Sequence, residues 1–210
     1  MFNASGIFSG KTNYPRLAIF VKEPNPGSVK TRLAKDLGTI NATKWYREVS
    51  QKTINRLTRD PRWETYLAVS PDHAGLLSRV WPEKVKRISQ GTGHLGQRMK
   101  NVFRQLQPGP TIIIGSDIPG IKPSQIARAI HSMGKYDVYI APSPDGGFWL
   151  IGLKGKRSLP PKALENVRWS TEFAMEDTIN SLGKISLGIG EEMSDVDALA
   201  DLYANPHTRW

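Results

Sequence analysis

Residues 111–114 read Thr-Ile-Ile-Ile, four β-branched positions without polar alternation, and this pattern predicts a strand covered on both faces in the middle of a sheet. Apolar runs at 16–21, 65–69, 85–88, 137–142, 148–153 and 184–189 predict six more strands. Helical spacing fills the gaps. Residues 29–37 have helical composition with Ser28 as a cap, and Asn41 opens a long helix to Thr58 whose Trp45, Val49 and Leu57 share one face. Further helices are predicted over 72–80, through Val102, Phe103 and Leu106, from Pro123 to Met133, and over 172–182 with Ser170 or Thr171 as cap. A short helix closes the chain after Asp197. Strands alternating with helices predict an α/β fold with a mostly parallel sheet. Asp145-Gly146-Gly147, a tight polar loop between two apolar runs, predicts one antiparallel pair within it.

Composition changes this picture little. No Pro/Gly/Ser-rich or charged linker divides the 210 residues, so one domain is expected over 14–205, after a loose N-terminal extension or expression remnant at 1–13. The absence of cysteine excludes disulfides, thiolate metal sites and cysteine nucleophiles, and fits residence in the cytoplasm. Residues 1–13 lack a signal-peptide pattern, and no apolar run approaches the length of a membrane span. The net charge of +10 predicts affinity for anions. These anions are nucleic acid, anionic lipid or small phosphorylated ligands; charge alone does not choose among them, and no nucleic-acid-binding signature accompanies it.

The candidate chemistry lies at strand ends. Asp117 follows the 111–114 strand at the place where parallel sheets open their ligand crevice, so it is either a cation ligand or a turn and helix cap. Lys22, Lys30 and Arg32 cluster where the first strand passes through KEPNPGSVKTRL into the predicted 29–37 helix, and cations beside free helix N–H groups would cradle a phosphate. The spacing is not that of a P-loop. In SQGTGHLGQRM, Gly91, Gly93 and Gly96 allow close backbone approach to a flat ligand, and Gln90 offers donor and acceptor to a nucleobase edge. Asp195 and Asp197, two apart, would face the same side of an extended segment.

Taken together, RLAIFVKEPNPGSVKTRLA, QGTGHLGQRM, TIIIGSDIPGI, APSPDGGFWLIGL, RWST and SDVDALADL resemble the DUF2064, or selenodomain-associated transferase 1, family, over residues 16–203. That resemblance implies a single-domain, Rossmann-like GT-A fold with helices on both faces. It further implies a glycosyltransferase that takes a nucleotide-diphospho-sugar donor and a small-molecule acceptor with Mg²⁺ or Mn²⁺. Lys22, Lys30 and Arg32 would then meet phosphates, Gln90 and Gly91 the base, and Asp117 the metal, approached by Asp195 or Asp197. Asp145 would orient or deprotonate the acceptor; Gly146, Gly147, Trp169, Ser170 and Thr171 would line the acceptor or sugar site, and Trp149 would stack on a sugar or pack. The chain departs from the family's usual strings at His94, Gly120 and Ala198, and Ser116-Asp117-Ile118 lacks a full D-x-D. Nucleotidyl transfer from a nucleoside triphosphate and a non-catalytic nucleotide-binding scaffold stand as the alternatives.

Overall fold

A computed structural model describes residues 13–106, 108–155 and 159–204. The extension expected at 1–13 lies outside them but for residue 13. Seven strands form one sheet: β1 (Arg16–Lys22), β2 (Glu64–Ser70), β3 (Lys86–Ser89), β4 (Thr111–Gly115), β5 (Val138–Pro142), β6 (Phe148–Leu153) and β7 (Leu187–Ile189). Their order is β3-β2-β1-β4-β6-β5-β7. β4 is therefore central, as its unbroken β-branched run requires. Only β6 is reversed, pairing antiparallel with both β4 and β5. The Asp-Gly-Gly turn makes that reversal as a hairpin.

The helices are α1 (Ala34–Leu37), α2 (Thr39–Thr58), α3 (Asp72–Leu76), α4 (Leu95–Gln105), α5 (Pro123–Ser132), α6 (Ala174–Leu182) and α7 (Leu199–Ala204). They cover both faces. Ile112 and Ile114 pack with Leu17 and Ile19 under Trp45 and Ile54 of α2 and Ile126 of α5. Ile113 turns the other way, to Ala18, Val102 and Phe103 of α4 and Leu182 of α6. Because successive side chains of a strand alternate in direction, one apolar tripeptide feeds both cores, and each fully buried isoleucine contributes about 1.5–3 kcal/mol. Among the described residues no helix is long and apolar enough to cross a membrane.

Several elements are shorter than their pattern predicts. The 29–37 helix forms only over Ala34–Leu37, because Lys30 adopts the left-handed backbone (φ 46°). Ser28 caps nothing; its hydroxyl donates to the Asn25 carbonyl at 2.7 Å within the preceding turn. Asn41 sits inside the first turn of α2, which begins after Gly38, and its side chain donates back to Leu37 O at 3.0 Å. The 72–80 helix stops at Leu76. Neither Ser170 nor Thr171 is the first cap of α6, whose cap position is Phe173; the Thr171 hydroxyl accepts the Phe173 N–H at 3.3 Å from just outside.

Candidate active site

β1, β2 and β4 run parallel and so end on one edge of the sheet, at Lys22, Ser70 and Gly115. β6 runs the other way, and its first residues, Phe148 and Trp149, reach the same edge. Two cavities open there. The larger, about 560 Å³, is lined by Lys22, Lys30, Arg32, Tyr46, Gln90, Arg98, Ser116 and Asp197 among others. The smaller, about 230 Å³, is lined by Ser143, Asp145, Gly147, Phe148, Trp149, Trp169, Ser170, Thr171 and Asp195 among others. Leu95, Gly115 and Asp117 face both. The tip of β4 is the wall between them.

Buried hydroxyls hold that tip to β1. Tyr46 Oη accepts the Lys22 N–H at 2.8 Å and lies 3.2 Å from Ser116 Oγ, to which Ser50 Oγ donates at 3.1 Å. Burial, and then the charge of Asp117, pushes the Tyr46 phenol above its ordinary pKa, so it stays a neutral hydrogen-bonding group. The loop after β1 is closed by Lys22 itself, whose Nζ donates to Ser28 O at 2.7 Å.

Lys30 is the centre of charge. Its Nζ lies 2.8 Å from Asp117 Oδ2, 2.6 Å from Asp197 Oδ1 and 3.8 Å from Asp195 Oδ2, with 5% of the side chain exposed. Burial, the largest single influence, pulls the ammonium's pKa down, but Asp117, Asp197 and Asp195 together outweigh it and hold the group charged well above its ordinary value. Asp195 is pushed up to about 6, by burial first and then by the charges of Asp197, Asp117 and Asp145 against the opposing pull of Lys30. Arg32, mostly in solvent, adds a looser contact to Asp197 at 3.5 Å.

The three carboxylates expected to hold a metal do converge, and they converge on a cation. Their all-oxygen chemistry fits a hard divalent ion, and the Lys30 ammonium is the stand-in that marks where such an ion would meet them. As arranged around Lys30, however, no group of three acidic or histidine side chains among the described residues has the disposition of a metal site.

Other expected roles change on inspection. Gln90 lines the larger cavity, but its amide hydrogens are donated to Ala68 O at 2.7 Å and Val21 O at 3.3 Å, so the donor predicted for a nucleobase instead ties β1 to β2. Gly91 is not on either cavity wall; its N–H goes to Asp72 Oδ1 at 3.1 Å. Asp145 lies on the smaller cavity with Oδ1 accepting the Gly147 N–H at 3.0 Å, which leaves its other oxygen to the cavity. Gly146 stands behind the wall, at φ +81°, where an added Cβ would meet Glu172 O at 2.1 Å. Trp149 is core, its indole N–H donated to Glu191 O at 3.0 Å. Trp169 stays at the cavity, stacked on His94 at 6.5 Å and edge-on to Phe148 at 6.3 Å. Tyr46, Ser116 and Arg98 were not legible as site residues. Arg98 follows Leu95 by three positions, one turn along α4, and that spacing from a glycine-rich loop was the available signal.

A family model described as "Uncharacterized protein conserved in bacteria (DUF2064)" matches residues 53–171. The chain belongs to the DUF2064 family. It is 35% identical over 79 residues to the 2-phospho-L-lactate guanylyltransferase of Methanocaldococcus sp. (strain FS406-22), a match covering 38% of this chain and 35% of the length of that relative. Its fold matches a solved candidate nucleotide-diphospho-sugar transferase from Desulfovibrio desulfuricans G20 with a TM-score of 0.75 and 25% identity, over 89% of this chain and 83% of that one. The Rv0371c protein of Mycobacterium tuberculosis H37Rv, solved in complex with manganese, shares the fold at a TM-score of 0.55 and 11% identity, over 91% of this chain and 97% of that one. This DUF2064 chain thus has the GT-A-like α/β architecture expected of it.

Proposed function

We propose that this protein is a transferase that moves a glycosyl group from a nucleotide-diphospho-sugar to a small acceptor. The observation that carries the reading is the pair of cavities meeting at Asp117, one rimmed by Lys22, Lys30, Arg32 and Arg98, the other by carboxylates and Trp169. A diphosphate belongs with the cations and a small acceptor with the hydrogen-bonding and aromatic wall. The fold match over 83% of the candidate nucleotide-diphospho-sugar transferase supports it.

In the step itself the acceptor hydroxyl oxygen forms the new bond to the anomeric carbon. The bond from that carbon to the diphosphate oxygen breaks, and its electron pair leaves with the nucleoside diphosphate. Lys30, Arg32 and Arg98 take up the charge that grows on the leaving group, and Asp145 receives the acceptor proton and passes it to solvent. Mg²⁺ or Mn²⁺ held by Asp117 with Asp195 and Asp197 would neutralise further diphosphate charge. The lack of cysteine suits an enzyme of the cytoplasm.

Nucleotidyl transfer from a nucleoside triphosphate is the second reading, favoured by the partial match to a guanylyltransferase. Thermal stability against nucleoside diphosphates, diphosphate-sugars and triphosphates, each with and without Mn²⁺, separates the two, because a ligand of the native state raises the melting temperature. A metal-dependent shift with one diphosphate-sugar, followed by its turnover, is the expected result. A shift with triphosphates only replaces it with nucleotidyl transfer, and none at all leaves a non-catalytic scaffold.

A further inference from the structure

The smaller cavity is built for an acceptor of one charge class. Three of its wall residues are carboxylates, Asp117, Asp145 and Asp195, and none is a lysine or arginine. Lys30 does not line this cavity, but its Nζ lies 2.8 Å from Asp117 and 3.8 Å from Asp195 as well as 2.6 Å from Asp197, so it offsets part of the charge of two wall carboxylates from behind, and Arg32 reaches Asp197 on the far side of the dividing wall. Arg168 precedes Trp169 in sequence, yet its guanidinium grips both oxygens of Asp177 at 2.8 Å and lies 4.0 Å from the centre of the Phe173 ring. Asp145 has no cationic partner among the described residues; its Oδ1 accepts a backbone N–H within its own turn. The rest of the wall includes the indole of Trp169, the ring of Phe148 and the hydroxyl residues Ser143, Ser170 and Thr171, beside apolar residues such as Leu95 and Ile118.

We propose that the acceptor is a small hydroxyl compound bearing no anionic group, neutral or amino-substituted, and that phosphorylated and carboxylated acceptors are excluded. This rests on the transferase reading above and narrows it. A phosphate or carboxylate in this cavity would lose its water and find carboxylates in its place, and like-charge juxtaposition at a binding site costs several kcal/mol. A cation bound at Asp117 and Asp195 would offset two of the three like charges, and the exclusion would then rest on Asp145, which still faces the cavity, and on the lack of a bidentate or charged donor from arginine or lysine among its described lining residues. Hydroxyl groups suit Ser143, Ser170, Thr171 and the free oxygen of Asp145. A sugar-like or amine-bearing face suits Trp169. The inference separates this chain from its guanylyltransferase relative, whose name specifies a phosphorylated acid as substrate.

Two measurements test it. The first does not depend on catalysis: fluorescence quenching of Trp169, isolated as the difference between the protein and Trp169→Phe, by Cs⁺, iodide and neutral acrylamide at matched ionic strength. The protein as a whole is strongly cationic, at +10, and would favour iodide. With each ion's quenching normalised to that of free N-acetyltryptophanamide, Cs⁺ quenching Trp169 at least about twofold better than iodide is the expected result, given a local field opposite to the global one. Equal quenching, or iodide ahead, overturns the proposal. The second supplies matched probes, glucose, glucosamine and glucose 6-phosphate, to the protein with Mn²⁺ and the diphosphate-sugar selected by the thermal panel, and follows binding by saturation-transfer NMR and donor consumption. The neutral and amino probes should bind, and the phosphorylated one should bind at least about tenfold more weakly. Preference for glucose 6-phosphate overturns the proposal. If no nucleotide binds, the transferase reading fails on the thermal panel while the quenching experiment still decides the character of the cavity.

Discussion

The two halves of the sheet reach the same edge by opposite means. In the half β3-β2-β1-β4 all strands are parallel, so each ends at the site and releases a loop there, bringing Lys22, Lys30 and Ser116. In the other half β6 is reversed, and what arrives at the edge is a closed hairpin, Asp145-Gly146-Gly147, followed by the start of a strand. Loops from parallel strand ends leave basic side chains room to reach into a cavity. A hairpin fixes its carboxylate against its own backbone. The difference teaches why cations carried on loops gather at the large cavity while a carboxylate pinned to its own turn, Asp145, faces the small one, with Asp117 at the seam.

Breaking the seam should cost most. Asp117→Ala removes the one carboxylate among the described residues that faces both cavities and is expected to lower transfer about 10²–10³-fold, the range seen when a group aimed at developing charge is lost. It should also abolish the Mn²⁺-dependent part of nucleotide binding. The fold should survive, because the Asp117 side chain is 27% exposed. Steady-state kinetics beside a denaturation curve checks both; a variant that unfolds would return Asp117 to a structural capping role.

The hairpin half is broken next. Gly146→Ala puts a Cβ at 2.1 Å from Glu172 O on a backbone at φ +81°, so the turn must detach from the start of α6, where Gly146 O accepts the Met175 N–H at 2.9 Å. A loss of about 2–4 kcal/mol is expected, as for backbone strain plus a steric clash. Gly38→Ala is the control: φ +77° and ψ 154°, a backbone region nearly confined to glycine, but with nothing within 4 Å, hence about 1–3 kcal/mol of backbone cost and no clash. Equal losses in urea melts would show that the docking of the hairpin contributes nothing.

Lys30→Met sharpens the parallel half. Removing the ammonium leaves Asp117, Asp195 and Asp197 facing one another, so affinity for Mn²⁺ without nucleotide should rise, while affinity for nucleoside diphosphates should fall about tenfold, or 1.4 kcal/mol. Calorimetric titration of each ligand alone reads the two effects separately. Unchanged Mn²⁺ affinity would mean that lysine and metal do not share a position.

Lys30 also marks where the sequence stops being readable. The strands were legible because their β-branched runs are local, and the hairpin because Asp-Gly between apolar runs admits few conformations. Asp117 was legible from its place after the central strand. The 29–37 helix was not, since its local composition is overridden by ion pairs from Lys30 to Asp117 and Asp197, which lie 87 and 167 positions away in the chain. The tertiary pull leaves the backbone left-handed at Lys30 and lets only one turn form. Gln90 misled for the opposite reason: a polar residue after a strand reads as a ligand contact until burial shows that its amide has backbone carbonyls to satisfy. Tyr46 was hidden in the apolar face of α2, where its ring belongs to the core and only its hydroxyl emerges at the site.

That hydroxyl gives the smallest expected effect on the parallel half. Tyr46→Phe keeps the ring in the core but deprives the part-buried Lys22 N–H of its acceptor and the buried Ser116 Oγ of a neighbour. Leaving such a donor unpaired costs about 1–3 kcal/mol, and the low end is expected because Lys22 stands at a strand end near water. Ser50→Ala removes the other contact to Ser116. If the hydroxyls act as one network pinning β4 to β1, the double variant should differ from the sum of the singles by about 0.5 kcal/mol or more. Strict additivity in the double-mutant cycle would mean that Tyr46 supports only the Lys22 backbone and that the position of Asp117 is set by the sheet pairing of β4 alone.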